Sequence, residues 1–304
     1  MSVLVVDKPV GPTSFAVLRQ VRRALVRARG EAGRAPKLGH GGTLDPMASG
    51  VLPVCVGEAT KVIPFLLDAD KEYLAVVRFG VETDTLDATG LVLSEKPIGD
   101  LCPGRVEVAL AGFLGEIEQV PPMFSALKHH GQPLYRYARA GQTIERAPRR
   151  VKVHELALLA WEAPDRAHLR IRCSKGTYIR SLAADLGLQL GVGAHLTALR
   201  RTASGPFGLA QALGVDAIEA YVDEGRALPF VSLRDSLVHL PSATVDDTLA
   251  LRLARGQRVQ WDEIAPAVVD RGPLCVLRPP DILVAVVDRG AEGAVRILRV
   301  FNVG

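Results

Sequence analysis

Residues 166–190 read RAHLRIRCSKGTYIRSLAADLGLQL. At first the pattern alternates: Leu169, Ile171 and Cys173 point one way and His168, Arg170 and Arg172 the other, the period of two that a half-buried strand imposes. After Gly176 the period lengthens to that of a helix, with Ile179, Leu182, Leu186 and Leu190 on one stripe. One strand with a basic face, one turn and one amphipathic helix in so short a span point to a mixed α/β chain. Val3 to Val6 predicts a short buried strand, and Pro12-Thr13-Ser14 supplies caps for a helix whose apolar face is Val17, Val21 and Leu25. Tyr73 to Phe79 is strand-like, and Pro133 to Ala140 reads as a short helix closed by Gly141. Helical and strand patterns alternate irregularly and do not repeat as βαβ units, which favours an α+β arrangement with antiparallel pairing.

The full chain has 304 residues, about two domains' worth, with 48% hydrophobic and 23% charged residues. That composition excludes disordered and fibrous classes. From about Leu237 the character changes to one helical segment near Asp246 to Arg255 and short β-like runs at Leu274 to Leu277, Ile282 to Val287 and Ala294 to Phe301. A small, mostly β domain over residues 237–304 is therefore expected behind a body over residues 1–236. The N-terminus lacks the apolar core of a signal peptide, and no apolar run approaches the ~20 residues of a membrane span. Cys55, Cys102, Cys173 and Cys275 are far apart and form no C-x-x-C pair, so no metal site is suggested and reduced thiols in a cytoplasm are expected.

The net charge is only +4, but 29 of the 37 basic residues are Arg, the planar phosphate binder. Three stretches concentrate it. Residues 19–39 hold Arg19, Arg22, Arg23, Arg27, Arg29, Arg34 and Lys37 against Glu31. Residues 128–152 hold Lys128, Arg136, Arg139, Arg146, Arg149, Arg150 and Lys152 against Glu145, with His129, His130, Tyr135 and Tyr137 interleaved. Residues 166–180 add five basic residues and no acid. Each stretch alone reads as a solvated face; together, one of them with aromatics, they fit a surface that tracks a nucleic-acid backbone and stacks on unpaired bases.

The densest chemical signal is Gly39-His40-Gly41-Gly42-Thr43-Leu44-Asp45-Pro46-Met47-Ala48-Ser49-Gly50. Its glycines allow close backbone approach, and Pro46 biases Asp45 toward an extended conformation. Neither nucleotide-binding glycine pattern is present. An Asx-type turn and a catalytic carboxylate kept ionised by an arginine both fit these residues. On residue type alone Lys8, Lys61, Tyr73 and Arg180 are equally ordinary turn, helix-surface, strand and helix-start residues.

Taken together and in order, VDKPVGPTS (6–14), GHGGTLDPMASGVLPVCVGEATK (39–61), DKEYLAVVRFGVETDTLDATG (70–90), PPMFSALKHHGQPLYRYARAG (121–141), CSKGTYIRSLAADLG (173–187) and GAHLTALRR (193–201) resemble the TruB family of tRNA pseudouridine synthases. The family loop usually reads GHTG or GHSG, so Gly41 replaces a hydroxyl residue. The resemblance implies a pseudouridine-synthase domain with a mixed, largely antiparallel central sheet flanked by helices, followed by a PUA-like RNA-binding domain. It implies isomerisation of one uridine in the T-loop of tRNA, position 55, with the base flipped out and no cofactor or metal. Residue by residue, Asp45 is then the catalytic aspartate, Tyr73 the active-site tyrosine and Arg180 the cation paired with Asp45. His40 packs beside the flipped nucleotide, Tyr178 and Leu199 line the pocket, and Lys8 and Lys61 support the loop or contact RNA nearby. Residues 123–152 resemble an RNA-clasping insert, which makes Lys128, Arg136, Arg139, Arg146, Arg149 and Arg150 RNA contacts; in the tail, Arg252, Arg255 and Arg258 are candidates for phosphate. The expected partner is tRNA alone, bound by a cytoplasmic monomer with no membrane and no obligatory protein partner. The rival readings are a guide-RNA-dependent pseudouridine synthase core and a non-catalytic RNA-binding or tRNA-folding protein.

Overall fold

The structure is a computed structural model and describes residues 2–29, 35–265 and 272–302. Its contacts divide the chain into two compact units, Met1–Asp45 with Val51–Ala69 and Ser204–Gly304, and Pro46–Gly50 with Asp70–Ala203. The C-terminal stretch expected as a small β domain, residues 237–304, lies within the first of these units. A central mixed sheet flanked by helices contributes strands to each unit.

In the first unit the strand Val3–Lys8 lies between Leu213–Gly214, which it pairs in parallel, and Ala48–Val56. Its alternate residues explain why the run is apolar throughout. Leu4 and Val6 face the helices Ser14–Arg29 and Val215–Asp223 through Val17, Val21, Leu25 and Ile218. Val3 and Val5 face a second cluster with Val51, Cys55, Phe65 and Phe207. A strand covered on both faces has no polar side to show. The predicted helix face Val17, Val21 and Leu25 is accordingly buried, and Thr13 caps the helix by accepting from the Ala16 backbone at 3.1 Å.

The C-terminal stretch forms its own four-stranded sheet in the order Ser242–Thr244, Leu274–Arg278, Ile282–Arg289, Val295–Val300, with the helix Asp247–Ala254 on it. Its strand Leu274–Arg278 is also buried on both faces. Leu274 and Val276 join Leu253, Trp261 and Val284 in a local core, whereas Cys275 and Leu277 join the cluster around Val3, Val5 and Phe65. This β layer therefore shares a hydrophobic core with the N-terminal strand within the same unit. Burial pushes the Cys275 thiol up to about 11 and the Cys55 thiol up to about 12, so both are inert core residues.

In the second unit the strand order runs from the start of Ala48–Val56 through Ala194–Ser204, Lys71–Phe79, Arg166–Cys173 and Arg149–Glu162 to Gly115–Gln119. The first pair is parallel and the last three are antiparallel. The predicted strand at 167–173 and helix from 179 are found as Arg166–Cys173 and Ile179–Gln189. Leu169, Ile171 and Cys173 are buried, while Arg170 and Arg172 are exposed. The strand Arg149–Glu162 was not legible, because its burial pattern does not alternate cleanly and register shifts interrupt its pairing with Arg166–Cys173. Among the described residues no helix is long and apolar enough to cross a membrane.

Candidate active site

Asp45 is half-buried on a loop tied down at several points. In the first unit, Leu38–His40 pairs with Val54–Val56, and the Gly41 N–H donates to the Pro53 carbonyl at 2.8 Å. His40 ends that short strand opposite Val54. A Cβ at Gly41 would stand 3.0 Å from Leu66 Cβ and 3.1 Å from its Cδ1, so the glycine lets the buried Leu66 pack against the loop backbone. A side chain at this position would require Leu66 to give way by a few tenths of an ångström. Further along, Ser14 holds Leu44 from the helix start: its Oγ donates to the Leu44 carbonyl at 2.9 Å and accepts from the Leu44 N–H at 2.8 Å.

In the second unit the continuation of the loop is pinned at Gly50. Its φ is +105°, and a Cβ there would lie 2.1 Å from the Arg201 carbonyl oxygen, so no other residue fits. Arg201 and Leu199 register opposite Gly50 and Ala48, and Arg200 Nη1 donates to Ser49 Oγ at 3.3 Å. Leu199 is buried at this pairing.

Arg180 and Tyr178 sit at the start of the helix Ile179–Gln189, and Tyr73 sits half-buried on Lys71–Phe79 opposite Ile171. The Arg180 guanidinium is 4% exposed and held on several sides. Nη1 donates to the Thr85 carbonyl and Nη2 to the Phe124 carbonyl, each at 2.8 Å, and Nε lies 3.7 Å from Asp87 Oδ2. Asp87 is itself 6% exposed, and its other oxygen accepts from Thr85 Oγ1, the Thr89 N–H and Thr89 Oγ1 at 2.8, 2.9 and 2.5 Å. A buried guanidinium facing a buried carboxylate is stable only because each compensates the other's desolvation. Gln119 completes the frame: its amide accepts from the Tyr178 N–H at 2.8 Å and donates to the Tyr178 carbonyl at 3.0 Å. Sequence reasoning missed both Asp87 and Gln119. The DTLDATG run signals Asp87 in hindsight, since Thr and Asp two residues apart are the residues that close such turns.

Several predicted RNA contacts are corrected or redefined. Lys8 is fully buried and its Nζ donates to the Pro9 carbonyl at 2.9 Å, so it is not a surface contact for a phosphate. Lys61 bonds Glu58 Oε2 at 2.5 Å and the Val300 carbonyl at 2.9 Å, tying its helix to the last strand. That hydrogen bond also holds the Glu58 carboxyl below the usual range. Lys61→Ala is expected to lower stability by about 1 kcal/mol while leaving RNA affinity unchanged, as read by thermal melts and filter binding.

The basic stretch at 166–180 is largely neutralised across the sheet. Arg166 meets Glu162 at 3.0 Å, Arg172 meets Glu155 at 3.4 Å and Asp70 at 3.8 Å, and His168 meets Glu162 at 3.0 Å. In the tail Arg252 is committed to Glu263 at 2.5 Å and to the Arg258 carbonyl at 3.0 Å, leaving Arg255 and Arg258 exposed.

The stretch 128–152 keeps its exposed cations. Lys128, Arg136 and Arg139 are exposed, with Arg139 5.6 Å from the Tyr135 ring centre. Arg146 is half-buried and donates to the Pro121 carbonyl at 3.3 Å. Arg149 and Arg150 belong to the sheet, paired with Gln119 and Glu118, so the part of the insert outside the sheet ends before them. In the first helix Arg19, Arg22 and Arg23 are exposed and Arg27 meets Asp223 at 3.3 Å; Arg34 and the side chain of Arg29 lie outside the described residues.

A tethered loop carrying an aspartate, a buried arginine–aspartate pair and a basic, aromatic-bearing segment fit an α/β enzyme acting on RNA. Comparison with known proteins agrees. The family model for the TruB family pseudouridylate synthase N-terminal domain matches residues 29–179, and that for the tRNA pseudouridylate synthase B C-terminal domain matches 180–239. The chain is 51% identical over 266 residues to tRNA pseudouridine synthase B of Chromohalobacter salexigens, covering 86% of this chain and 82% of that one. It is 46% identical over 294 residues to the protein of the same name from Burkholderia mallei, covering 96% and 93%. Among solved structures, a chain of a Cbf5-Nop10-Gar1 complex superposes with a TM-score of 0.77 at 30% identity, covering 99% of this chain and 85% of that one. The chain belongs to the TruB family of pseudouridylate synthases.

Proposed function

We propose that the chain converts uridine 55 in the T-loop of tRNA to pseudouridine as a stand-alone enzyme. The observation that carries this reading is the 46–51% identity, over most of the chain, to relatives named tRNA pseudouridine synthase B, against 30% to the chain of the Cbf5 complex. In the reaction the bond between C1′ and N1 breaks, the uracil turns, a C1′–C5 bond forms, C5 loses its proton and N1 ends protonated. Atoms and electrons balance within the substrate, so the chemistry consumes no cofactor. Asp45 is the reacting carboxylate, with Arg180 as its cation and Tyr73 beside the base. A buried base cannot be reached in a folded loop, so it is flipped out, and His40, Tyr178 and Leu199 keep the nucleotide-contacting roles that the family resemblance gives them. Residues 237–304 act as a PUA-like RNA-binding domain, and the enzyme works as a cytoplasmic monomer.

The exposed cations of the insert, Lys128, Arg136 and Arg139, with Arg149 and Arg150 beside them and Arg146 bracing the segment, clasp the tRNA backbone. Reversing the charge of Arg149 and Arg150 is expected to make the dependence of log affinity on log salt shallower by about 1 for each phosphate the protein no longer neutralises. An unchanged slope in a salt titration of tRNA binding would return these two residues to ordinary solvated positions. The test of the whole reading is a site-mapped pseudouridine assay on an unmodified tRNA transcript with purified protein and no other RNA or protein. Product at position 55 is expected; well-folded protein giving none sinks the stand-alone reading.

A further inference from the structure

We propose that Ser14 is a positioning residue for the reaction, acting through Leu44 on the direction in which Asp45 presents its carboxylate. This rests on Asp45 being the reacting group. The Ser14 side chain is 2% exposed, and its single oxygen bonds both backbone polar groups of one residue, the Leu44 carbonyl at 2.9 Å and the Leu44 N–H at 2.8 Å. The geometry has a specific consequence. The Leu44 N–H belongs to the peptide plane before Leu44, and its carbonyl belongs to the plane that carries the Asp45 nitrogen. One hydroxyl therefore fixes the planes on both sides of Leu44, whose own side chain is buried at 3% exposure. On the other side of Asp45 stands Pro46, with its ring-locked φ. Asp45 is left between a clamped peptide and a proline, with little backbone freedom of its own.

The hydroxyl is not occupied in building its own helix. Thr13 performs that task, through Oγ1 to the Ala16 N–H at 3.1 Å and its carbonyl to the Val17 N–H at 3.1 Å. The two adjacent hydroxyl residues thus divide the work: Thr13 caps the helix, and Ser14 transfers the rigidity of that helix to the loop. The helix is in turn packed through Val17, Val21 and Leu25 onto the strands Val3–Lys8 and Ala48–Val56, so the clamp is referred to the core of its unit.

Ser14→Ala removes the clamp and leaves the shape of the site otherwise alone. Displacement of a reacting group by about 1 Å costs on the order of 10²-fold in rate. The expected result is a single-turnover rate on saturating tRNA lowered by about 10- to 100-fold, with the tRNA dissociation constant unchanged, measured well below the melting temperature. Thr13→Ala is the matched control: it lowers the melting temperature through the lost cap and keeps the single-turnover rate. Asp45→Asn is run beside them. If Asp45→Asn is inactive and Ser14→Ala turns over like the native enzyme, or loses no more rate than Thr13→Ala, Ser14 does not position the loop. If Asp45→Asn remains active, the assignment of Asp45 fails and the role of Ser14 falls with it, a result distinguishable from the first.

Discussion

Asp45→Asn is expected to abolish conversion, with a loss of at least about 10³-fold in the single-turnover rate and no loss of tRNA affinity. The side chain changes by one atom and one charge. The loop stays in place because its anchors are elsewhere: Ser14 on Leu44, the Gly41 N–H on the Pro53 carbonyl, and Gly50 against Arg201. None of these three anchors uses the Asp45 carboxylate, so binding and fold are expected to survive the loss of its charge. The C5 proton leaves only in the forward reaction. Release of tritium from tRNA labelled at uridine C5 therefore reads turnover directly, and filter binding reads affinity. An undiminished rate of release from the Asn variant would remove Asp45 from the mechanism.

The second large effect is expected at Arg180. Arg180→Lys keeps the charge and loses the fork. A single ammonium cannot reproduce the bonds to the Thr85 and Phe124 carbonyls and still face Asp87. At least one buried carbonyl would be left without its partner, which typically costs about 1–3 kcal/mol. Chemical denaturation should show a loss of that order, and the rate should fall by about 10²-fold or more even where the variant is fully folded. The Phe124 carbonyl lies near the start of the basic segment 123–152, so the same substitution also removes a tether of that segment. A Lys variant with native stability and rate would mean that the guanidinium geometry contributes nothing and that charge alone suffices. Asp87→Asn separates the two: the Thr85 and Thr89 bonds to Oδ1 can persist with an amide oxygen, while the carboxylate opposite the guanidinium is gone.

Much of the fold was legible because its signals are local. The alternation of Leu169, Ile171 and Cys173, the stripe from Ile179 to Leu186 and the doubly buried run from Val3 to Val6 each follow from the period of one element. The strand Arg149–Glu162 was hidden in what reads as an RNA-binding insert, since its first residues are basic and its pairing partner Gly115–Gln119 is about thirty residues away. The charge reading went astray for a related reason. Counting along the chain gave 166–180 five cations and no acid, yet in an antiparallel sheet the neighbours of Arg166 and Arg172 come from another strand, and these are Glu162 and Glu155. Lys61 likewise looked like a helix-surface residue because its partner, the Val300 carbonyl, is 239 residues away.

The sequence by itself determined the family, the loop that carries Asp45 and the periodic elements, since each is written in consecutive residues and a fixed spacing. Which charges are available to RNA was decided only by the tertiary structure. Arg180, Arg172, Arg252 and Lys61 are alike as letters in a basic chain, but the first faces a buried Asp87, the next two are matched by exposed acids, and the last braces the C-terminal strand. The same holds for the serine after the helix cap. Ser14 reads as a second capping residue, and only the folding of the Asp45 loop onto the helix start, thirty residues on, turns its hydroxyl toward Leu44. Local sequence specifies what an element is; long-range contacts assign each polar side chain its partner, because a buried donor or acceptor must be satisfied by whatever the fold brings within reach.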